Sequence, residues 1–291
     1  MSEAIKNRYD FVFFFDVKDG NPNGDPDQVN LPRADAEDQK GLVTDVCIKR
    51  KVRNYVMLEK SQLVEGKMVP EDRFDIFIRQ GQVLNSVIDA ASGGNIPERQ
   101  RNLADKYYDI RTFGAVLSTG EKGAGTVRGP VQFTFARSED RIYQAEHSIT
   151  RCAVTTGDDA KKQENREYAS TFGRKNTVPY AMYRMHGFVS AVDAVKTGFC
   201  EEDLKLLWKS LINAFEHDRA AARGEMNPRK LVIFKHESHL GNELSGRLFE
   251  RVTVSKKTDL PRSKDDYDIN VNTDQLPSGI EMKVWPEESV Y

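Results

Sequence analysis

Phe11-Val-Phe-Phe-Phe-Asp-Val17 runs into Asp19-Gly-Asn-Pro-Asn-Gly-Asp-Pro-Asp27, and Thr44-Asp-Val-Cys-Ile-Lys-Arg-Lys-Val-Arg-Asn-Tyr-Val56 follows. The first run is short, apolar and flanked by polar residues, which predicts a buried strand over 7–17. Phe11, Phe13 and Phe15 fall on one face and Val12, Phe14 and Asp16 on the other. Apolar residues on both faces favour a core strand over an open platform of base-stacking aromatics. The second run is dense in Asn, Gly, Asp and Pro, each with its own turn chemistry, and predicts a stiff loop. The third predicts a helix with Thr44 as N-cap and Asp45 in the first turn, where an acid suits the helix dipole. Ile48, Val52, Tyr55 and Val56 share an arc that faces a core, and Lys49, Arg50 and Arg53 share the arc beside it. With Lys51 these make four bases in five residues. Fixed backbone amides beside such a block suit a polyanion, and the plainer alternative is a solvated helix face.

The rest of the composition restrains this reading. A chain of 291 residues is one large domain or a small core with big insertions, and 38% hydrophobic residues imply long polar excursions. Its net charge of −2, with 30% charged residues, is not the basic balance of a free-standing nucleic-acid binder. Binding to such a partner must come from local clusters or from several copies acting together. Cys47, Cys152 and Cys200 form no CxxC pair, which argues against structural zinc and a disulfide framework and fits a reducing cytoplasm. No apolar signal core opens the chain and no run approaches membrane-spanning length, so a soluble intracellular protein is expected.

Farther along, Arg73-Phe-Asp-Ile-Phe-Ile-Arg79 alternates like a strand, and helices are expected over 83–91 and 100–108. Residues 118–130 read as a glycine-rich loop. A strand pair is expected from Arg128, where Val131, Phe133 and Phe135 alternate with polar neighbours. Residues 157–174 read as a polar projection, and strand character resumes over 178–192. Leu204, Leu207, Trp208, Leu211, Ile212 and Phe215 keep a 3.6-residue period, which predicts a helix over 201–219. A strand at 229–234 follows, and the polar tail from Thr258 is expected to run over the surface. Without insertions the order is β-α-β-β-α-β, an α+β plan of the ferredoxin-like, RRM-like type. That plan is shared by RNA-recognition modules and many other functions.

Several motifs have competing readings. Asp19, Asn21, Asn23, Gly24 and Asp27 stand at EF-hand spacings, but Asn30 stands where the closing acid should be and two prolines stiffen the loop. A calcium-dependent binding module is therefore one alternative; a loop whose amides and Asn side chains hold phosphate or ribose is another. Gly123-Ala-Gly125-Thr-Val-Arg128 fails as GxGxxG, leaving Arg128 free to meet a phosphate near the glycine backbone. His236-Glu-Ser-His239 is one residue short of HExxH. His147 with a lysine or tyrosine would be the basis of an RNA-cleaving alternative. Lys161, Lys162, Arg166, Arg174 and Lys175 sit in the projection, which is either a loop kept soluble by charge or an arm that orders on a partner.

Asn21-Pro-Asn-Gly-Asp-Pro26, Pro32-Arg-Ala-Asp35 and residues 41–55 resemble the signature of a CRISPR-associated family. This is the backbone subunit (Cas-seven type, of the RAMP superfamily) of type I Cascade, with the subtype I-C form the most similar. Asp109-Ile-Arg-Thr-Phe-Gly-Ala115, Gly129-Pro-Val-Gln132 and His147-Ser-Ile-Thr-Arg151 resemble its later blocks, so the match runs from about 9 to 240. The resemblance implies an RRM-like palm (about 1–60, 128–150 and 179–240), inserted fingers (about 61–127) and a hairpin thumb (about 150–178). A C-terminal tail, about 241–291, carries no matched motif. It implies crRNA as ligand, copies polymerising head to tail along it, and target DNA paired through the guide. A guide-processing subunit, a large PAM-reading subunit, a small subunit and a recruited helicase-nuclease would be further partners. No catalysis, cofactor or metal is implied. The RNA-binding candidates are Asn21, Asn23, Gly24, Arg33, Lys49, Arg50, Arg53, Arg128, Arg151, Arg174 and Lys175.

Overall fold

A computed structural model describes residues 3–150, 153, 156–158, 160 and 172–291. The apolar run forms β1 (Tyr9–Gly20), and the loop after it leads to β2 (Lys40–Val43) and α1 (Asp45–Glu59). Helices α2 (Ile96–Lys106) and α3 (Tyr108–Phe113) lie in the stretch 61–127, expected to be an insertion. Strands β3 (Val131–Phe133), β4 (Ala136–Arg141), β5 (Ala145–Thr150) and the long β6 (Phe172–Val189) come next. The chain continues through α4 (Ala191–Thr197), α5 (Glu201–Ile212) and β7 (Glu225–His236) to a hairpin of β8 (Val252–Lys256) and β9 (Tyr267–Val271), then β10 (Ile280–Trp285).

One eight-stranded antiparallel sheet dominates, in the order β10-β7-β1-β6-β4-β2, with β3 and β5 also paired to β6. β1 lies inside it between β6 and β7, with Phe13 opposite Met185 on one side and Leu231 on the other. A strand in that position has no wet edge, which is why its residues are apolar on both faces. Phe11, Phe13 and Phe15 pack under Ile48, Val52 and Val56 of α1 and Leu204, Leu207 and Leu211 of α5. Val12 and Phe14 pack with Val232 and Phe234 against Leu248, Val252 and Tyr267. Asp16 shares their face and is buried, yet fully engaged. Arg229 Nε donates to it at 2.7 Å, Tyr180 Oη at 3.0 Å and Asn227 Nδ2 at 3.3 Å. A bulge between Phe14 and Phe15 sets Phe15 opposite Pro228 and leaves Arg229 out of register. A third core in the insertion gathers Phe77, Ile88, Leu103, Tyr107 and Ile110.

Four expectations need correction. The tail is not a surface run: β8 and β9 roof the second face of the sheet, and β10 extends it along β7. Its exposed residues are mostly polar, Leu244, Leu260 and Tyr291 apart, while Val252, Tyr267, Ile280 and Val284 are turned inward. Residues 73–79 form no strand; Arg73 takes a positive φ of 72°, and an isolated bridge joins Asp75 to Tyr107. Phe74, Ile76 and Phe77 are all buried, so the apparent alternation reflects a segment threading between two cores. The helix read over 201–219 ends at Ile212, where Asn213 caps it by donating Nδ2–H to the Lys209 carbonyl. The strand begun at Val131 breaks at Thr134, and Phe135 is exposed. The projection expected over 157–174 lies largely outside the described residues.

Candidate nucleic-acid interface

The loop after β1 is braced from beneath. A Cβ on Gly20 would overlap the Arg223 carbonyl, and Asn21 N–H donates to the Ala222 carbonyl at 2.7 Å. Inside the loop, Asn21 Nδ2 donates to the Asn30 carbonyl at 2.7 Å. A side chain on Gly24 would run into the Asn30 amide, so this close approach requires glycine. Asn23 Oδ1 accepts from Thr44 N–H at 3.0 Å and from Thr44 Oγ1 at 2.9 Å. Thr44 Oγ1 in turn accepts from Cys47 N–H at 3.3 Å, the N-cap bond of α1. Asp25 Oδ1 accepts from Asp27 N–H at 3.1 Å, and its other oxygen lies 3.5 Å from Arg33. Of the side chains at EF-hand spacing, Asn21 and Asn23 are thus engaged within the protein. Among the described residues no group of three or more His, Cys, Asp or Glu is arranged to hold a metal.

The four bases of α1 do not share one surface. Lys49 is tucked in, 12% exposed, paired with Asp45 at 2.8 Å and lying over the Phe113 and Phe133 rings. Lys51 is buried in an ion pair with Asp218, over Phe215. Arg53 donates Nε–H to Asp109 at 2.8 Å with its guanidinium 5.3 Å from the Phe113 centroid. Arg50 is exposed and, among the described residues, makes no hydrogen bond or ion pair.

Arg33, Arg50 and Arg53 converge with Arg79 on one groove of about 1080 Å³ that runs along α1 from Thr44 to Met57. Asn23, Asn54 and Gln80 add amides, and Cys47, Met57 and Ile76 make an apolar floor. Arg33, Arg53 and Arg79 each face one carboxylate, of Asp25, Asp109 and Asp75, at 2.8–3.5 Å. A guanidinium has five N–H donors, so one carboxylate leaves most of each fork for a second anion. Burial pushes the Cys47 thiol above its usual range, and its Sγ–H points to the Pro22 carbonyl at 3.6 Å.

The other candidates scatter. Arg174 pairs with Glu146 at 3.2 Å and Lys175 stands opposite His147, both on the β5–β6 hairpin. The root of that hairpin is tied to the loop: Asn176 Nδ2 donates to the Val29 carbonyl at 3.3 Å and Gln144 Nε2 to the Pro32 carbonyl at 2.5 Å. His147 Nε2 lies 3.0 Å from Thr177 Oγ1. Arg128 stands apart, 77% exposed, on the hairpin Gly114–Leu117/Gly125–Arg128, 3.4 Å from Asp193. Arg151 lies outside the described residues. His236 is fully buried, with Nδ1 accepting from Asn242 N–H at 2.8 Å and Nε2 donating to Asp10 at 3.0 Å, a structural latch. Sequence reasoning missed Arg79 and Gln80 in the groove and Asp109 buried behind Arg53. Asp109 opens one of the quoted blocks, but nothing in its spacing points to α1.

The fold and groove describe a mixed α/β protein, built on a large antiparallel sheet, that carries one arginine-rich cleft. The family model for CRISPR-associated protein Cas7 matches residues 7–272, and the chain belongs to that family. A Haloferax volcanii protein described as CRISPR-associated protein Cas7 is 24% identical over 274 residues, covering 83% of this chain and 74% of the relative. Among solved structures, a chain of a "CRISPR RNA-guided surveillance complex, pre-nicking" is 14% identical with a TM-score of 0.48, over 78% of each chain. A chain of a "CRISPR RNA-guided surveillance complex" is 12% identical with a TM-score of 0.44, over 78% of this chain and 68% of that one. Among the described residues no helix is long and apolar enough to cross a membrane.

Proposed function

We propose that this chain is the crRNA-binding backbone subunit of a type I-C Cascade complex, polymerising head to tail along the guide and holding it open for pairing with target DNA. The observation that carries this is the convergence of Arg33, Arg50, Arg53 and Arg79 on one groove along α1. Guanidinium forks with the amide side chains beside them suit a phosphate backbone without reading its sequence. Family membership adds support. The sheet order β7-β1-β6-β4, with α1 and α5 on one face, supports a ferredoxin-like, RRM-like palm. In this reading residues 61–127 are the fingers, and the β5–β6 hairpin is the base of a thumb. The subunit does no bond-breaking chemistry. Guide processing, PAM reading and DNA cutting fall to the other subunits and to a recruited helicase-nuclease. Each subunit offers a modest cationic groove, and a row of them on one RNA sums to tight binding despite the net charge of −2.

The test is co-expression with the neighbouring complex subunits and a repeat array, comparing wild type with Arg50→Glu/Arg79→Glu. Native mass should show several copies on one RNA for wild type and RNA-free protein for the charge reversal. An RNA-bound assembly unaffected by the reversal would reject the groove as the guide site.

A further inference from the structure

The two walls of the groove are not joined by backbone hydrogen bonds of any sheet or helix. One wall is α1; the other, residues 76–80, belongs to neither a helix nor a strand. Asp109, in the first turn of α3 and 1% exposed, bridges them. Its Oδ1 accepts from Phe77 N–H at 2.8 Å, and its Oδ2 accepts from Ile78 N–H at 3.0 Å and Arg53 Nε–H at 2.8 Å. Held at Nε and laid against Phe113, Arg53 keeps both terminal nitrogens without a partner among the described residues. Arg79 follows directly on the pinned Ile78 and lines the same groove.

We propose that Asp109 is a positioning residue for the RNA grip: anchored by the N–H groups of Phe77 and Ile78, it aims the Arg53 fork into the groove. This rests on the reading of the groove as an RNA site. The sign of its effect separates it from a simpler one. A carboxylate beside an RNA groove repels phosphate, so removing its charge should strengthen binding if charge were all it supplied. A positioning role demands the opposite, because a fork freed from its anchor must be ordered again on each binding event.

The experiment measures affinity of the full-length chain for labelled single-stranded RNA at fixed salt. It compares wild type, Asp109→Asn, Arg53→Gln, the double variant and Arg50→Glu. Asp109→Asn should bind roughly tenfold more weakly, the loss of about one charge-assisted hydrogen bond. The double variant should be no worse than the weaker single variant, because both act through one fork. Tighter or unchanged binding by Asp109→Asn, or additive losses, would overturn the proposal. A structural role alone lowers the melting temperature without producing that coupling. If Asp109→Asn does not fold, Asp109→Glu keeps the charge and displaces the carboxylate by one methylene. It should weaken binding, and wild-type affinity would discard the positioning role. Arg50→Glu touches neither group. Lost binding there with wild-type affinity in the Asp109 variants removes the positioning role alone, whereas wild-type affinity in Arg50→Glu removes the RNA reading with it.

Discussion

Lys49 and Arg50 are adjacent in sequence and meet opposite fates, because a helix turns each side chain about 100° from the last. One faces Asp45 and two phenylalanine rings, the other open solvent. Thr44 shows how a single hydroxyl serves both helix and loop, accepting from Cys47 N–H while donating to Asn23. Thr44→Ala should cost about 1 kcal/mol in denaturant unfolding, with Thr44→Ser near wild type. His186 is a titration reporter at this scale. Burial, and secondarily the charge of Arg184, push its pKa from the usual 6.5 down to about 4, and its ring stacks 4.1 Å from that of Phe249. Among the described residues its buried Nε2 has no hydrogen-bond partner. The folded state thus keeps the imidazole neutral while the unfolded chain takes up a proton below pH 6.5. The stability of this arrangement is full above pH 6.5 and falls as pH drops toward 4, by on the order of 2 kcal/mol after allowing for partial exposure. His186→Phe should flatten that part of the melting-temperature profile, and an unchanged profile would assign it to the carboxylates.

At the scale of elements, the loop after β1 depends on a strap that is remote in sequence. Lys51 and Arg223 both pair with Asp218, and Gly20 and Gly224 allow strap and strand to touch; Gly224 has a φ of 58°. Gly20→Ala would force that contact apart and should destabilise the chain by roughly 1–3 kcal/mol. Amide hydrogen exchange should show the loss first at Asn21, whose N–H bonds to Ala222. The amphipathic pattern of α1 was readable because its apolar arc repeats within the helix. The division of its basic arc was not, since Asp109, Asp218, Phe113 and Phe215 all lie more than fifty residues away in sequence.

For the whole molecule, the buried pair of Arg111 and Asp203 ties the insertion to α5. Two N–H···O bonds at 2.9 and 2.7 Å join the side chains, and Arg111 also donates to the carbonyls of Arg73, Ala104 and Asp105. Asp203 accepts from Cys200 N–H as well, so the same carboxylate caps α5. The C-terminal region is equally integral. Deleting residues 273–291 removes β10 and bares the β7 edge along with Val232 and Phe234. The truncated chain should elute as aggregate in size-exclusion chromatography. A monodisperse truncated chain would show that the sheet does not need its last strand.

Local pattern alone determined β1 as a core strand, the Thr44 cap and apolar arc of α1, the period of α5 and a stiff turn from Asp19 to Asp27. These depend on residues within one or two turns of each other, where spacing dictates which side chains share a face. The quoted blocks also carried the family resemblance. Tertiary structure alone decided that β8 and β9 roof the second face of the sheet. It also decided that Lys49 and Lys51 are tied up inside the fold, that Arg79 joins Arg50 and Arg53 in the groove, and that Asp109 holds Arg53 from behind. Apart from the local Lys49–Asp45 pair, each of these is set by a contact between segments far apart in the chain, and neither residue type nor spacing records such partners.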